Sequence, residues 1–288
     1  GLSNDGIFNN NTGGQINIDR SSGTGLSNTG TSASAFNNAG TITIGANASV
    51  GSYGIYNLVA FNNNTGGQIN IGNSTNKGLY NGRVFTNAAT INIGANAPVG
   101  NYGIHNQFGA TFNNNMGGQI NIDRSTSAGL LNESSTFNNA ASITIGANQS
   151  VGAYGLQNQA TFNNSTGGQI NIDRSTSWGI SNESGTFTNA ATITIGAIAS
   201  VGFYGLANNT TFNNNAGGQI NIDRSTGAPS AGIYNSGSSA TFTNAASITI
   251  GANQSVGQYG LENIATFNNN TCAILSTTAP INNAAGKI

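Results

Sequence analysis

The residues able to do chemistry are few, and most recur in register. Charged side chains make up 5% of the 288 residues. The acids are Asp5, Asp19, Asp123, Asp173, Asp223, Glu133, Glu183 and Glu262. Four of them stand in a repeated dipeptide: Asp19-Arg20, Asp123-Arg124, Asp173-Arg174 and Asp223-Arg224. Cleaving a glycosidic bond would want two carboxyls roughly 5–10 Å apart in one cleft. Copies of one dipeptide in every second turn of a stack would lie about 9.6 Å apart, twice the strand spacing, and catalysis by so strictly repeated a dipeptide is not expected. The pattern predicts a ladder of corner ion pairs, each contributing about 0–1 kcal/mol. His105 is the only histidine and Cys272 the only cysteine. No intramolecular disulfide can form, and there is no spacing for a metal cluster. His105 fills a variable position and is expected to be an exposed substitution. Gly-Gly-Gln is a turn and not a phosphate loop. Enzymatic activity, cofactors and metals are therefore not expected.

Aromatic side chains offer a different chemistry. Tyr53, Tyr102, Tyr154, Tyr204 and Tyr259 each precede a Gly, and Trp178 holds the same place between Tyr154 and Tyr204. Such a column either packs a corner or forms a strip that stacks on sugars or a partner. Tyr154, Trp178 and Tyr204 are the candidate contact residues. Thr41-Ile42-Thr43 and Thr192-Ile193-Thr194 suggest an outward hydroxyl face of the kind that binds ice, a remote reading. Gln169-Ile170-Asn171 and its equivalents interrupt that array.

These residues are placed by a repeat. Gly-[Leu/Ile]-x-Asn opens at Gly1, Gly25, Gly54, Gly78, Gly103, Gly129, Gly155, Gly179, Gly205, Gly232 and Gly260. Phe-x-Asn and then Ile-x-Ile, or its nearest equivalent, follow each time. A repeat of about 25 residues with three short apolar pieces is the mark of a stacked coil. Residues i and i+2 of a strand face the same side, so Leu156 and Asn158, Phe162 and Asn164, and Ile170 and Ile172 point inward together. Coils would stack about 4.8 Å apart, giving three sheets around a narrow core. No 3.6-residue period is present.

Three inward columns should carry the structure. The phenylalanine column is Phe8, Phe36, Phe61, Phe85, Phe112, Phe137, Phe162, Phe187, Phe212, Phe242 and Phe267. One asparagine column is Asn4, Asn28, Asn57, Asn81, Asn106, Asn132, Asn158, Asn182, Asn208, Asn235 and Asn263. The other runs from Asn10 and Asn38 through Asn63, Asn87, Asn114, Asn139, Asn164, Asn189, Asn214 and Asn244 to Asn269. A carboxamide both donates and accepts, so stacked copies can bond up the column. Coils alternate between an Asn-x-x-Gly-Gly-Gln-Ile-Asn-Ile type and an Asn-Ala-x-[Thr/Ser]-Ile-[Thr/Asn]-Ile-Gly-Ala type, a paired unit of about 50 residues.

Composition sets the remaining bounds. Net charge is −1, from 7 basic and 8 acidic residues. No basic patch points to nucleic acid, and a surface this neutral resists self-association weakly. No run of 18 apolar residues offers a membrane helix. No signal peptide stands at Gly1, and the repeat begins there in full register. The chain reads as a mature or trimmed piece of a longer, secreted product.

The strings TFTNAATITIGA and FNNAGTITIGA, with Gly-[Ile/Leu]-x-Asn ahead of them, resemble the repetitive parallel β-helix regions of secreted bacterial adhesins and large Bacteroidota surface proteins. The resemblance covers essentially the whole chain. It implies a right-handed parallel β-helix outside the cell, used for reach, adhesion or matrix.

The expected architecture is all-β: a right-handed β-solenoid of about eleven to twelve coils, three short strands per coil, roughly 55 Å long. Residues 1–269 form the repeats, and 270–288 a degenerate final coil or a junction. There Cys272-Ala273-Ile274-Leu275 replaces Gly-Gly-Gln-Ile, and Ile281 to Ile288 echo Phe-x-Asn-Ala-Gly-x-Ile. Uncapped coil ends template association, and a head-to-tail contact that does not close makes a filament. The expected function is an extracellular structural fibre whose partner is itself, head to tail or laterally. The alternative is an adhesin stalk that meets glycans or surfaces.

Overall fold

The computed structural model describes residues 1–284, which fold as a β-solenoid with no helix among them. A representative coil has three strands: Tyr102–Asn106, Thr111–Asn114 and Gln119–Ile122. Each pairs in parallel with its equivalents one coil before and one coil after. Ile104 lies between Leu79 and Leu130, Phe112 between Phe85 and Phe137, and Ile120 between Ile91 and Ile143. Pairing residue to residue is forced by burial, because a one-residue slip would turn every apolar side chain to solvent.

The two coil types keep this register by placing their length differences in corners. In one type Gly66, Gly117, Gly167 and Gly217 hold φ between +84° and +88°, and the next residue closes a tight turn, as in Gly118 N–H to Asn115 C=O at 2.8 Å. A side chain is strained in that left-handed conformation. Cys272 occupies the same place at φ 67°.

Three strands per coil do not make three sheets. The isoleucine strands form an 11-stranded sheet, and the other two strands of every coil join in a single 21-stranded sheet. The cause is visible in Ala128–Asn139 and Tyr154–Asn164, which run unbroken through both segments. Leu156, Asn158, Phe162 and Asn164 stay buried across the join, so the expected corner is a bend in one sheet.

The core is a set of side-chain columns. Neighbouring Phe rings from Phe8 to Phe267 stack with centroids 4.7–4.9 Å apart and planes within 2–14°. The strand spacing imposes that distance. It falls near the short end of the favourable range for ring pairs, about 4.5–7 Å. From Phe36 onward each ring is fully buried, which stabilises the coil by about 1.5–3 kcal/mol per side chain.

Both asparagine columns are buried hydrogen-bonded ladders. Each Nδ2 donates to Oδ1 of the next coil at 2.7–2.9 Å, from Asn4 to Asn28 at one end to Asn235 to Asn263 at the other. The second column does the same from Asn10 to Asn269. At most rungs the other Nδ2 proton reaches a main-chain carbonyl, of the next coil as in Asn106 to Thr136 at 3.0 Å, or of its own coil as in Asn189 to Ala191 at 3.0 Å. Such saturation is what burying an amide requires. Both ladders point the same way along the stack. Outward Asn rows point the opposite way, as in Asn163 to Asn138 and Asn138 to Asn113, both 2.9 Å.

Residues 270–284 continue the two sheets. Ile274–Thr277 pairs with Ser247–Ile250, so Leu275 and Thr277 take the isoleucine places. Ile281–Asn283 does not take up the Phe-x-Asn position that its sequence echoes. It pairs with Leu261 to Asn263, and Asn263 Nδ2 donates to Asn283 Oδ1 at 2.8 Å. The register is set by Ile281 entering the leucine column and by the amide ladder. The rest of the echo, through Lys287 and Ile288, lies outside the described residues.

Candidate contact surface on the aromatic face

The tyrosine column starts the first strand of each coil and stands just outside the core. Its full register is Tyr53, Lys77, Tyr102, Ala128, Tyr154, Trp178, Tyr204, Ala231 and Tyr259. The Gly after each is needed for packing. A Cβ at Gly155 would stand 2.3 Å from Ile172 Cγ2 and 2.6 Å from the carbonyl oxygen of Gly179.

Of the three expected contact residues, Tyr154 and Trp178 are brought together. Their rings stack at 4.8 Å and 13°. Trp178 also meets Phe203 at 6.4 Å and 59°. Tyr204 pairs with Trp178 through its backbone, but its ring stacks on Tyr234 at 4.6 Å. All three side chains are half-buried, so they pack the corner and still present ring surface. Burial, with Glu183 nearby, raises the Tyr154 phenol above its ordinary value, and burial with Glu262 raises Tyr204. Glu183 accepts Gln157 and Gln159 Nε2, each at 2.9 Å.

A second cluster on this face carries more chemistry. Tyr53, Tyr56 and Tyr80 lie with centroids 5.0–5.6 Å apart. Lys77 Nζ sits over the Tyr80 ring at 4.9 Å and over Tyr53 at 5.5 Å, a cation–π arrangement. Burial lowers the Lys77 pKa and pushes Tyr80 up to about 12. His105 meets Tyr80 edge-on at 5.7 Å and Tyr102 at 5.1 Å.

His105 is 4% exposed, contrary to the expectation of a solvent-facing substitution. Neighbouring rings and the preceding corner cover this outward position. Its Nε2 lies 2.8 Å from Glu133 Oε2, the one ion-pair contact among the described residues. A carboxylate only accepts, so Nε2 carries the proton, and buried Nδ1 is left without a partner. Burial lowers the His105 pKa against the raising effect of Glu133.

The Asp-Arg dipeptides do not form ion pairs either. Asp123 Oδ1 accepts the backbone N–H groups of Asn148 at 3.2 Å and Gln149 at 3.1 Å, and Oδ2 accepts Asn148 Nδ2 at 3.3 Å. Asp173 accepts Ile198 and Ala199 N–H at 2.9 and 3.0 Å. Asp19 and Asp223 bind Asn47 and Asn253 in the same way. Three of the four arginines reach back instead: Arg124, Arg174 and Arg224 donate to Gly94, Gly146 and Gly196 carbonyls at 3.2, 2.9 and 3.0 Å. The dipeptide ties one corner to the coil ahead and the coil behind. Corner amides have no strand partners, so they outcompete a solvent-exposed ion pair for these side chains.

Hydroxyls form a longer array than Thr41 and Thr192 suggested. On the isoleucine face Gln119 and Asn121 alternate with Ser142 and Thr144. Outside the phenylalanine strand, however, Thr111, Thr136, Thr161, Thr186, Thr211, Thr241 and Thr266 lie in unbroken register. The period-2 position before Phe carries this signal in the sequence.

Among the described residues no three His, Cys, Asp or Glu side chains group as metal ligands, and no helix is long and apolar enough to cross a membrane. Comparison with protein-family models, curated proteins and solved structures finds no match to this chain. The resemblance to secreted adhesin repeats therefore rests on the repeat strings and the solenoid fold.

Proposed function

We propose that the chain is a rod of an extracellular structural fibre, in a matrix or surface fibril, and that it extends head to tail. The observation that carries this reading is the pair of buried asparagine ladders, all of whose Nδ2 groups point forward. A further coil, from this chain or from another copy, is received only in the same orientation. Head-to-head contact would set donor against donor. The near-neutral surface, with 5% charged residues, favours lateral packing as well. No basic stripe supports nucleic acid as a partner, and no cofactor is called for.

A second reading is an adhesin stalk. The stacked Tyr154–Trp178 pair favours it, because rings with one open face suit a sugar or a surface. Ice binding is a third and more remote reading, and the unbroken threonine row from Thr111 to Thr266 is what would serve it. Electron microscopy of the native assembly tests the first reading: unbranched fibrils of solenoid width support it, and isolated short rods defeat it. Thermal hysteresis of the purified protein tests the third, and its absence disposes of that idea.

A further inference from the structure

One corner departs from the repeat. After the isoleucine strand Gln68–Ile71 the chain reads Gly72-Asn73 where equivalent coils read Asp-Arg. Asn73 reproduces part of the arginine role. It holds the same left-handed backbone, at φ 47° beside 50° for Arg124, and its Nδ2 donates to Gly45 C=O at 2.7 Å. Gly72 reproduces nothing of the aspartate. In the other coils the carboxylate fills a socket formed by the next corner: two consecutive N–H groups and an Asn side chain close on Asp19 and Asp123, two N–H groups on Asp173, and one N–H with an Asn side chain on Asp223. The equivalent groups here are Asn96 N–H, Ala97 N–H and Asn96 Nδ2, and none has an acceptor among the described residues. Ala46 C=O is likewise without a donor, although Arg124 serves its counterpart Ala95. The missing side chains leave a surface cavity of about 330 Å³ lined by Thr43, Ala46, Asn70, Gly72, Asn92 and Asn96, among others.

We propose that this corner is a binding site for a carboxylate ligand, whose carboxyl group replaces the absent aspartate. Consecutive main-chain N–H groups make an anion-binding concavity, and four filled copies in this chain show that the geometry suits a carboxylate. At Asp19 the Asn47 and Ala48 N–H groups hold the carboxyl below its ordinary value, so that copy of the socket favours the charged form. Ala46 C=O adds an acceptor where Arg would lie. The best ligand therefore carries a hydroxyl or ammonium donor beside its carboxylate, as sugar acids and small hydroxy acids do. This inference is independent of the fibre reading.

Titration of the full chain followed by amide NMR tests it, with glucuronate, acetate and glucose as probes. Glucuronate should move the Asn96 and Ala97 amide resonances saturably, and neutral glucose should leave them in place. Acetate should act on the same amides about tenfold more weakly, since it lacks the donor; equal action would assign the site to the carboxylate alone. Gly72→Asp restores the repeat's own occupant. A Cβ there stands 3.2 Å from Ala97 Cβ and the Ala97 carbonyl oxygen, so the corner must yield only slightly. This variant should lose the response entirely and melt higher than the parent. Asp123→Gly with Arg124→Asn should create a second site and shift the Asn148 and Gln149 amides as well. Unmoved Asn96 and Ala97 amides in the parent, or an undiminished response in Gly72→Asp, would overturn the proposal.

Discussion

Asn106 Nδ2 donates to Asn132 Oδ1 at 2.9 Å, and Asn132 in turn donates to Asn158 Oδ1 at 2.9 Å. This link is buried, polar and directional at once. Phenylalanine stacking is indifferent to which end of the rod comes next, whereas the amide chain has a head and a tail. Ladder polarity thus gives a stack of similar coils two unlike ends, and on the fibre reading it would allow growth in one orientation only.

Asn132→Ala should deprive one Asn106 Nδ2 proton of its acceptor, and Asn158 Oδ1 and the Thr161 carbonyl of the donor that now serves each at 2.9 Å. The expected cost is about 1–3 kcal/mol per stranded buried group. Asn132→Asp should cost more, because an ionised carboxylate cannot donate and brings a buried charge. Each coil contacts only its neighbours, so hydrogen exchange should localise the loss to the coils around Asn132.

Phe137→Ala removes a fully buried ring between Phe112 and Phe162. The expected loss is about 3–5 kcal/mol in denaturant titration. Phe8→Ala should cost less, because Phe8 is only partly buried and stacks on one ring, Phe36.

His105 makes local stability depend on pH. Its folded pKa lies below the ordinary 6.5, so below pH 6.5 the unfolded chain takes up a proton that the folded chain resists. The stabilisation is present above that value and is lost as pH falls toward the folded pKa. His105→Gln should flatten the dependence. Glu133→Gln removes the group that holds the proton, depresses the folded pKa further and should carry the loss to lower pH. Thermal melts across pH 4–8 would read both effects, that range being chosen to bracket roughly the histidine pKa.

Trp178→Ala should leave the fold intact, since residue 178 keeps its backbone pairing to Tyr154 and Tyr204 and the ring lost from the Tyr154 stack lies outside the core. On the stalk reading it should weaken glycan or surface binding about tenfold, the order expected for losing one aromatic contact. Unchanged binding on a glycan array would sink that reading for this strip.

The inward columns were legible because burial acts on sequence at period 2 and the coil repeats it. Every coil keeps Phe and both Asn, and the described structure places them in the core and the ladders. What escaped the sequence depends on the coil above or below. Asp123 looked paired with adjacent Arg124, but its partners are Asn148 and Gln149, some 25 residues on. His105 looked exposed because alternation put it outside, yet Tyr80, Tyr102 and Glu133 from three different coils bury it. Ile281-Asn282-Asn283 fits two columns by sequence, and the ladder from Asn263 selects the leucine column. The Thr111 to Thr266 row is carried in the sequence by the residue just before each Phe, where variable side chains in the first coils interrupt it.

X-ray fibre diffraction from the aligned native assembly tests head-to-tail growth most directly. A rod that continues in register through the Asn ladders should give a sharp meridional reflection at about 4.8 Å, with coherence far beyond the roughly 55 Å of one chain's coils. A meridional reflection broadened to the length of one chain, or no axial order at all, would contradict a continuous ladder.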